Sequence, residues 1–422
     1  RTGDEGNINV INDFWIQWRH NPVSKGTGRF SASVDAGTST YNRNNSFNVD
    51  DFQSSSFKSA VSYSKTFKGT PFRIGVNLRQ DQNTQTEEMN FTLPDFSFSM
   101  NRIYPFKKKT GGGKSWYEQI NIAYNLVARY KISNIRKNIF AGLTVPETYQ
   151  NDTTEISFDN IPLLLERGQY GAKHSIPLST TFRLFKNINI SPRIDYTEYW
   201  YPQKLRYEWK DTVVIVDTIP GFSRAYQYSA GAAMSTTIYG LYQFKGQKIK
   251  AIRHVMTPSI SFNYHPDFSE ERFGVFYDTI QIDTNETMRK LSRYRGAIFG
   301  APKAGESGSI GFSLVNILEI KVKSEKDTTK KFKKVKLLKN LSVSSNYNFF
   351  AEEFNLALFN LRASTSLLNR INVNFNATFD PYQLDTSGDR INKLMWDDKS
   401  NGIARLTNTG LSFSTNLNPK AF

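Results

Sequence analysis

From Ile120 to Ile132 an apolar side chain falls on every second residue: Ile120, Ile122, Tyr124, Leu126, Ala128, Tyr130 and Ile132. The residues between them are mostly polar, namely Asn121, Asn125, Arg129 and Lys131. Successive side chains of an extended chain point to opposite sides, so this period of two predicts a strand with one apolar and one polar face. Strands of soluble proteins run to about 5–6 residues, whereas a tilted strand crosses a bilayer in about 9–11. The stretch therefore predicts a stave of a transmembrane β-barrel.

The pattern recurs along the whole chain. Phe30, Ala32, Val34 and Ala36 alternate with Arg29, Ser31, Ser33 and Asp35; Ile74, Val76 and Leu78 alternate with Arg73, Gly75, Asn77 and Arg79. Leu341 to Phe349 repeats it, and Ile371, Val373, Phe375, Ala377 and Phe379 interleave with Asn372, Asn374, Asn376 and Thr378. About fifteen such segments, with no sustained helical stripe, predict an all-β fold. Short links are expected at Lys68 to Thr70, Lys186 to Asn187, Lys245 to Lys250 and Asn369 to Arg370. Longer polar links are expected at Tyr41 to Ser55, Pro202 to Arg224, Pro266 to Glu306 and Asp380 to Asn401. If each strand crosses once, short links gather at one rim and long ones at the other, as outer-membrane barrels arrange them. A soluble sandwich has little reason to keep that parity.

Composition narrows the class. Only 38% of the 422 residues are hydrophobic, yet 32 Phe and 21 Tyr are too much aromatic surface for a disordered chain. No run of apolar residues is long enough for a transmembrane helix, while a barrel with a polar lumen tolerates low mean hydropathy. Cysteine is absent, which removes disulfides, thiolate catalysis and Cys-based zinc sites. Arg1 is not an initiator and no signal-peptide pattern precedes it, so an internal portion of a longer exported protein is expected. The net charge of +16 favours anionic partners: nucleic acid, phosphorylated glycolipid or acidic head groups.

Candidate chemistry is sparse. Thr110 to Ser115 reads TGGGKS, like the tail of a phosphate-binding loop, but Lys108 stands where that motif needs glycine, and a strand rather than a helix follows. His20, His174, His254 and His265 lack metal-ligand spacing. The acid pairs Asp50-Asp51, Glu87-Glu88, Glu352-Glu353 and Asp397-Asp398 fall in links, where neighbouring side chains diverge, so they read as solvated rim charge. No nucleophile, base and orienting acid come together in the pattern, and no cofactor or catalytic residue is expected.

The basic residues carry more. Arg73, Arg79, Arg129, Lys131 and Arg193 occupy the polar phase of their strands, and a charge on the lipid face is costly at mid-depth. They are therefore expected to face the lumen or the rims, either lining the lumen for phosphate groups or pairing with acids such as Asp35 and Asp195. Tyr104, Phe106, Trp116 and Tyr117, close to Lys107, Lys108 and Lys109, read as a membrane-interface girdle. The aromatics follow the apolar phase and the arginines the polar phase. That separates them across the sheet and argues against nucleic-acid binding, which needs both on one face.

Several runs, in order along the chain, resemble the LptD family of lipopolysaccharide-assembly proteins. They are Phe14 to Trp18 with Phe30 to Ser33, Asn101 to Phe106, Tyr196 to Tyr201, Ile252 to Ser259 leading to Pro266 to Phe268, Phe299 to Pro302, and Phe379 to Tyr382 with Arg390 to Asn392. The resemblance implies a very large antiparallel barrel, of about 26 strands in the family. Such a barrel takes lipopolysaccharide from a periplasmic, LptA-like bridge and releases it laterally into the outer leaflet. It also implies an LptE-like lipoprotein plug within the barrel and contact with outer-membrane lipids. On this reading residues 1–422 are a portion of one barrel domain, with the periplasmic jelly-roll and closing strands outside the chain. No position matches the family's gate residues, and the interdomain disulfides of its best-known members have no counterpart here. A porin or TonB-dependent receptor barrel is the alternative transport reading, and a barrel lipase or protease would need a nucleophile and base meeting at one rim.

Overall fold

The computed structural model describes residues 14–38, 56–83, 85–110, 115–246, 249–323, 332–367, 371–398 and 402–415. One antiparallel sheet of seventeen strands dominates it. Its strands are β1 (Trp15–His20), β2 (Gly28–Gly37), β3 (Ser56–Thr66), β4 (Phe72–Asn83), β5 (Glu88–Ile103), β6 (Asn121–Ser133), β7 (Gln169–Ser179), β8 (Phe182–Leu184) and β9 (Ile188–Lys210). They continue with β10 (Val213–Thr236), β11 (Ile238–Gln243), β12 (Ile249–His265), β13 (Ser307–Lys323), β14 (Phe332–Asn348), β15 (Phe359–Leu367), β16 (Ile371–Asp380) and β17 (Arg405–Thr415). β8 extends the ladder of β7 along β9, and β11 extends that of β10 along β12, so the sheet has fifteen staves. Each stave pairs with its sequence neighbours in a simple meander. Among the described residues β1 and β17 pair on one side only, so the sheet is barrel-like but not closed.

The alternating stretch from Ile120 to Ile132 falls on β6, between β5 and β7, with Phe98 opposite Leu126 and Leu126 opposite His174. Ile120 lies just outside it, ending the 3-10 turn Trp116–Gln119. Links 67–71 and 185–187 leave one rim; 134–168, 266–306, 349–358 and 381–404 leave the other. The parity has three exceptions: link 104–120 is long although it lies on the short-link rim, and links 84–87 and 211–212 are short on the long-link rim.

The expected link from Pro202 to Arg224 is instead strand. β9 and β10 remain paired to a two-residue turn at Asp211 and Thr212, whose φ of 49° and 70° are those of a tight hairpin. The prolines and charges of this stretch read as a link. In the structure a register shift between Tyr201 and Gln203 absorbs the irregularity, with Pro220 opposite Gln203. The hairpin extension keeps an apolar side, and with the long links it encloses the molecule's buried clusters. One gathers Phe140, Tyr207, Val214, Val216 and Leu291; the other gathers Tyr199, Tyr201, Ala225, Phe268, Phe276 and Tyr294. The long links carry small elements of their own: the helix Ile161–Glu166 and the hairpins Tyr277–Gln281 with Met288–Ser292 and Tyr382–Leu384 with Arg390–Leu394.

Candidate functional site

Cross-strand register lines up the polar phase of the wall as one face. Asn77 of β4 stands opposite Asp95 of β5, which stands opposite Arg129 of β6. The Asp95 carboxylate accepts from Arg79 at 2.5 Å and from Arg129 at 3.2 Å, with its own side chain only 6% exposed. A carboxylate so nearly out of water is held by its charged partners, and one acid thereby fixes two of the candidate arginines. Arg129 also stands 5.6 Å from the Phe299 ring centroid, Gln169 donates to the Gly296 carbonyl at 3.0 Å, and the Lys303 amide donates to Gln227 at 3.0 Å. The link 266–306 thus leans onto the polar face.

Arg193 on β9 pairs with Asp195 at 3.5 Å and crosses Gly231 to reach the Asn263 side chain at 3.3 Å. A Cβ at Gly231 would meet Asn263 Oδ1 at 2.8 Å, so this reach requires a residue without a side chain. Asp35 bonds the Trp15 indole at 2.8 Å and holds no arginine in any ion pair among the described residues. Asp195 does pair with an arginine, but the principal acid of the wall, Asp95, was not anticipated. Its signal is present in the alternation of Asp95, Ser97 and Ser99 with Phe96, Phe98 and Met100. Lys131 lies in register with Thr92 and Gln169.

Arg73 has a different setting. With Arg29 it flanks a shallow recess of about 720 Å³ over β2 to β6, floored by Ser31, Ser62, Ser64, Gly75, Ser97 and Ser99. Small polar residues there leave room between the two guanidinium groups. A second recess of about 480 Å³ crosses β14 to β16, with Asn340, Asn360, Arg362, Asn374 and Asn376 among its lining.

Tyr104, Phe106, Trp116 and Tyr117 all lie exposed in link 104–120 on the short-link rim. Lys107 sits 5.9 Å from the Tyr104 ring, and Trp116 meets Tyr117 edge-on at 6.2 Å. Residues 111–114 of the TGGGKS run, the Asp50-Asp51 pair and the Asn369 to Arg370 link lie outside the described residues. His254 and His265 share β12, and His254 contacts Asn316 at 2.9 Å. Among the described residues no three His, Asp or Glu side chains are grouped to hold a metal ion.

Runs distant in sequence meet in space. Tyr201 donates to the Gly300 carbonyl at 2.7 Å, and the Phe268 amide donates to the Lys303 carbonyl at 3.1 Å. Tyr196 to Tyr201, Pro266 to Phe268 and Phe299 to Pro302 thereby converge on one aromatic cluster, where burial pushes the Tyr294 phenol up. Arg390 likewise stands over the Tyr382 ring at 4.5 Å and pairs with Asp380 at 3.3 Å, while Asn392 accepts from the Phe354 amide at 3.0 Å.

A single meandering sheet with one polar, arginine-bearing face and one apolar face defines the class: an all-β protein of the outer-membrane barrel type. The family model described as LptD protein matches residues 1–382, and the chain belongs to that family. Its role is accordingly in lipopolysaccharide transport and assembly at the outer membrane. No curated protein matches the chain.

Proposed function

We propose that this chain forms wall of the outer-membrane translocon that inserts lipopolysaccharide into the outer leaflet, receiving it from a periplasmic, LptA-like bridge and releasing it sideways. An LptE-like lipoprotein seats inside the wall as a plug. The observation that carries the reading is the two-faced wall in a chain of the LptD family. Such a wall offers polar and cationic groups to sugars and phosphates while its other face meets lipid.

Within that wall the five basic residues divide. Arg79, Arg129 and Arg193 spend their charge on Asp95 and Asp195 and shape the face. Arg73 makes no ion pair among the described residues, and its recess is the place for a phosphorylated sugar. Lys131 stands nearer the long-link rim as a secondary contact. Tyr104, Phe106, Trp116 and Tyr117 lie at head-group level on the short-link side.

Depletion of the protein in its own cell is the decisive test. Lipopolysaccharide should accumulate in the periplasm and inner membrane while other barrels still assemble; undiminished surface lipopolysaccharide after depletion would refute the reading.

A further inference from the structure

The link between β6 and β7 presents large apolar side chains to the outside of the fold. It carries the helix Ile161–Glu166, in which Leu164 turns inward at 7% exposure while Ile161, Leu163 and Leu165 are 43%, 38% and 47% exposed. Phe158, three residues before Ile161, is 92% exposed. Ile161 and Leu165, four residues apart, share one face of the helix, and Phe158 stands in the turn that leads into it. Four exposed large apolar side chains within one short stretch of a polar link mark a segment that meets something apolar.

Contacts fix where this stripe sits. Tyr130, of the apolar phase of β6, donates its hydroxyl to the Leu165 carbonyl at 2.6 Å. Tyr170 of β7 packs edge-on against Tyr130 at 5.9 Å. Gly168 completes the fit, because a Cβ there would lie 2.3 Å from the Tyr130 ring. The helix is therefore laid against the apolar face of the wall, near its long-link end. From Ile122 to Tyr130 the strand climbs about 26 Å, or about 20 Å of depth at a tilt near 40°, which puts Tyr130 close to the far edge of a ~25 Å apolar band.

We propose that Phe158 to Leu165 is an interfacial foot, with its apolar stripe resting in the head-group and acyl boundary of the leaflet at the long-link rim. The occupant is lipid because the helix is seated, through Tyr130 and Gly168, on the apolar face of β6 and β7. Residues 147–166 contain five acidic residues and neither lysine nor arginine, in a chain of net charge +16. Attraction to anionic head groups is thus not the source of the contact; apolar burial is. The proposal rests on the outer-membrane reading above.

The absence of cysteine makes the test direct. Single variants Ile161→Cys and Leu165→Cys, with Leu126→Cys as wall control and Lys210→Cys as aqueous control, are labelled with a fluorophore in the full chain and reconstituted into vesicles containing brominated phospholipid. The labels at 161 and 165 should be quenched at least roughly half as strongly as the label at 126, unchanged by 0.5 M salt, as apolar insertion requires. Labels at 161 and 165 that behave like the one at 210, with 126 quenched, overturn the foot. Labels there shielded from both bromolipid and iodide are packed within protein and overturn it equally. An unquenched label at 126 instead defeats the membrane reading beneath it.

Discussion

Two regions of this chain hold together in different ways. In β4 to β6 the apolar side chains turn outward, and the best-buried groups are polar: Asp95 is 4% exposed, while Leu78 beside it is 40% exposed. Around the β9–β10 extension the order reverses. Val214 and Phe268 are 0% exposed and Leu291 is 2%, enclosed by rings and by hydrogen bonds from Tyr207 and Tyr294. The wall has ladders and ion pairs, whereas the long-link rim has a core of the kind a soluble domain has. Damage to one should therefore leave the other standing.

The sharpest attempt to break this contrast is Phe268→Ala. The Phe268 ring meets Phe273 at 4.8 Å, His265 at 5.2 Å and Tyr228 at 5.3 Å, so truncation leaves a cavity costing about 3–5 kcal/mol. Hydrogen exchange of residues 267–305 should accelerate by orders of magnitude, with β4 to β6 unchanged. Faster exchange in β4 to β6 as well would mean that rim and wall form a single cooperative unit.

In the wall the largest effect should come from Asp95→Ala. Removing a buried acid leaves Arg79 and Arg129 facing each other without a counter-charge, which in a fully buried setting costs about 3–5 kcal/mol. Both arginines are partly exposed, at 48% and 34%, so water reduces the expected loss to about 2 kcal/mol. A double-mutant cycle with Arg129→Ala, read as denaturant stability in detergent, should give a coupling of about 1 kcal/mol or more. Zero coupling would show that the pair is ornamental.

How much of this was legible in the sequence follows from the same contrast. The wall has a period of two and shows it openly: β4, β6 and β16 lie where the alternation of Ile74 to Leu78, Ile120 to Ile132 and Ile371 to Phe379 places them. The polar phase of Arg79 and Arg129 was equally visible, but their partner was not, because Asp95 follows Pro94 at a register shift that breaks the count across β5. The rim was hidden for another reason. Its core is assembled from residues as distant as Phe140, Val214 and Leu291, and no local pattern announces such contacts. The β9–β10 extension, with its prolines and lysines, looks like a loop until the neighbouring links cover its apolar side.

Acid should separate the regions at smaller magnitude. Asp267 opens link 266–306; burial acts to raise its carboxyl, but hydrogen bonds from the Ser269 hydroxyl and amide and from the Gly305 amide outweigh it and hold the group below its ordinary value. A depressed folded value means the contribution is whole above the unfolded carboxylate value of about 4 and is lost as pH falls through the lower folded one. Protection of residues 268–305 should therefore fall by the equivalent of about 1 kcal/mol between pH 5 and 2.5, and Asp267→Asn should abolish that pH dependence. An unaltered pH profile in Asp267→Asn would assign the acid sensitivity elsewhere.

The smallest effect on stability, and the one that divides the wall within itself, belongs to Arg73→Ala. Arg73 is exposed beside the serine-floored recess and makes no ion pair among the described residues, so its loss removes no charge-assisted bond. Denaturant midpoints should move by less than about 0.5 kcal/mol, against about 2 kcal/mol for Asp95→Ala. If the recess receives phosphorylated sugar, Arg73→Glu should nonetheless cut photo-crosslinking of lipopolysaccharide from a probe at Ser97 several-fold, because a carboxylate there repels phosphate. Arg79→Lys, which keeps the charge near Asp95, should leave that crosslinking intact. Loss of stability in Arg73→Ala would mark it as another structural arginine like Arg79, and unchanged crosslinking in Arg73→Glu would remove the recess from the path of the substrate.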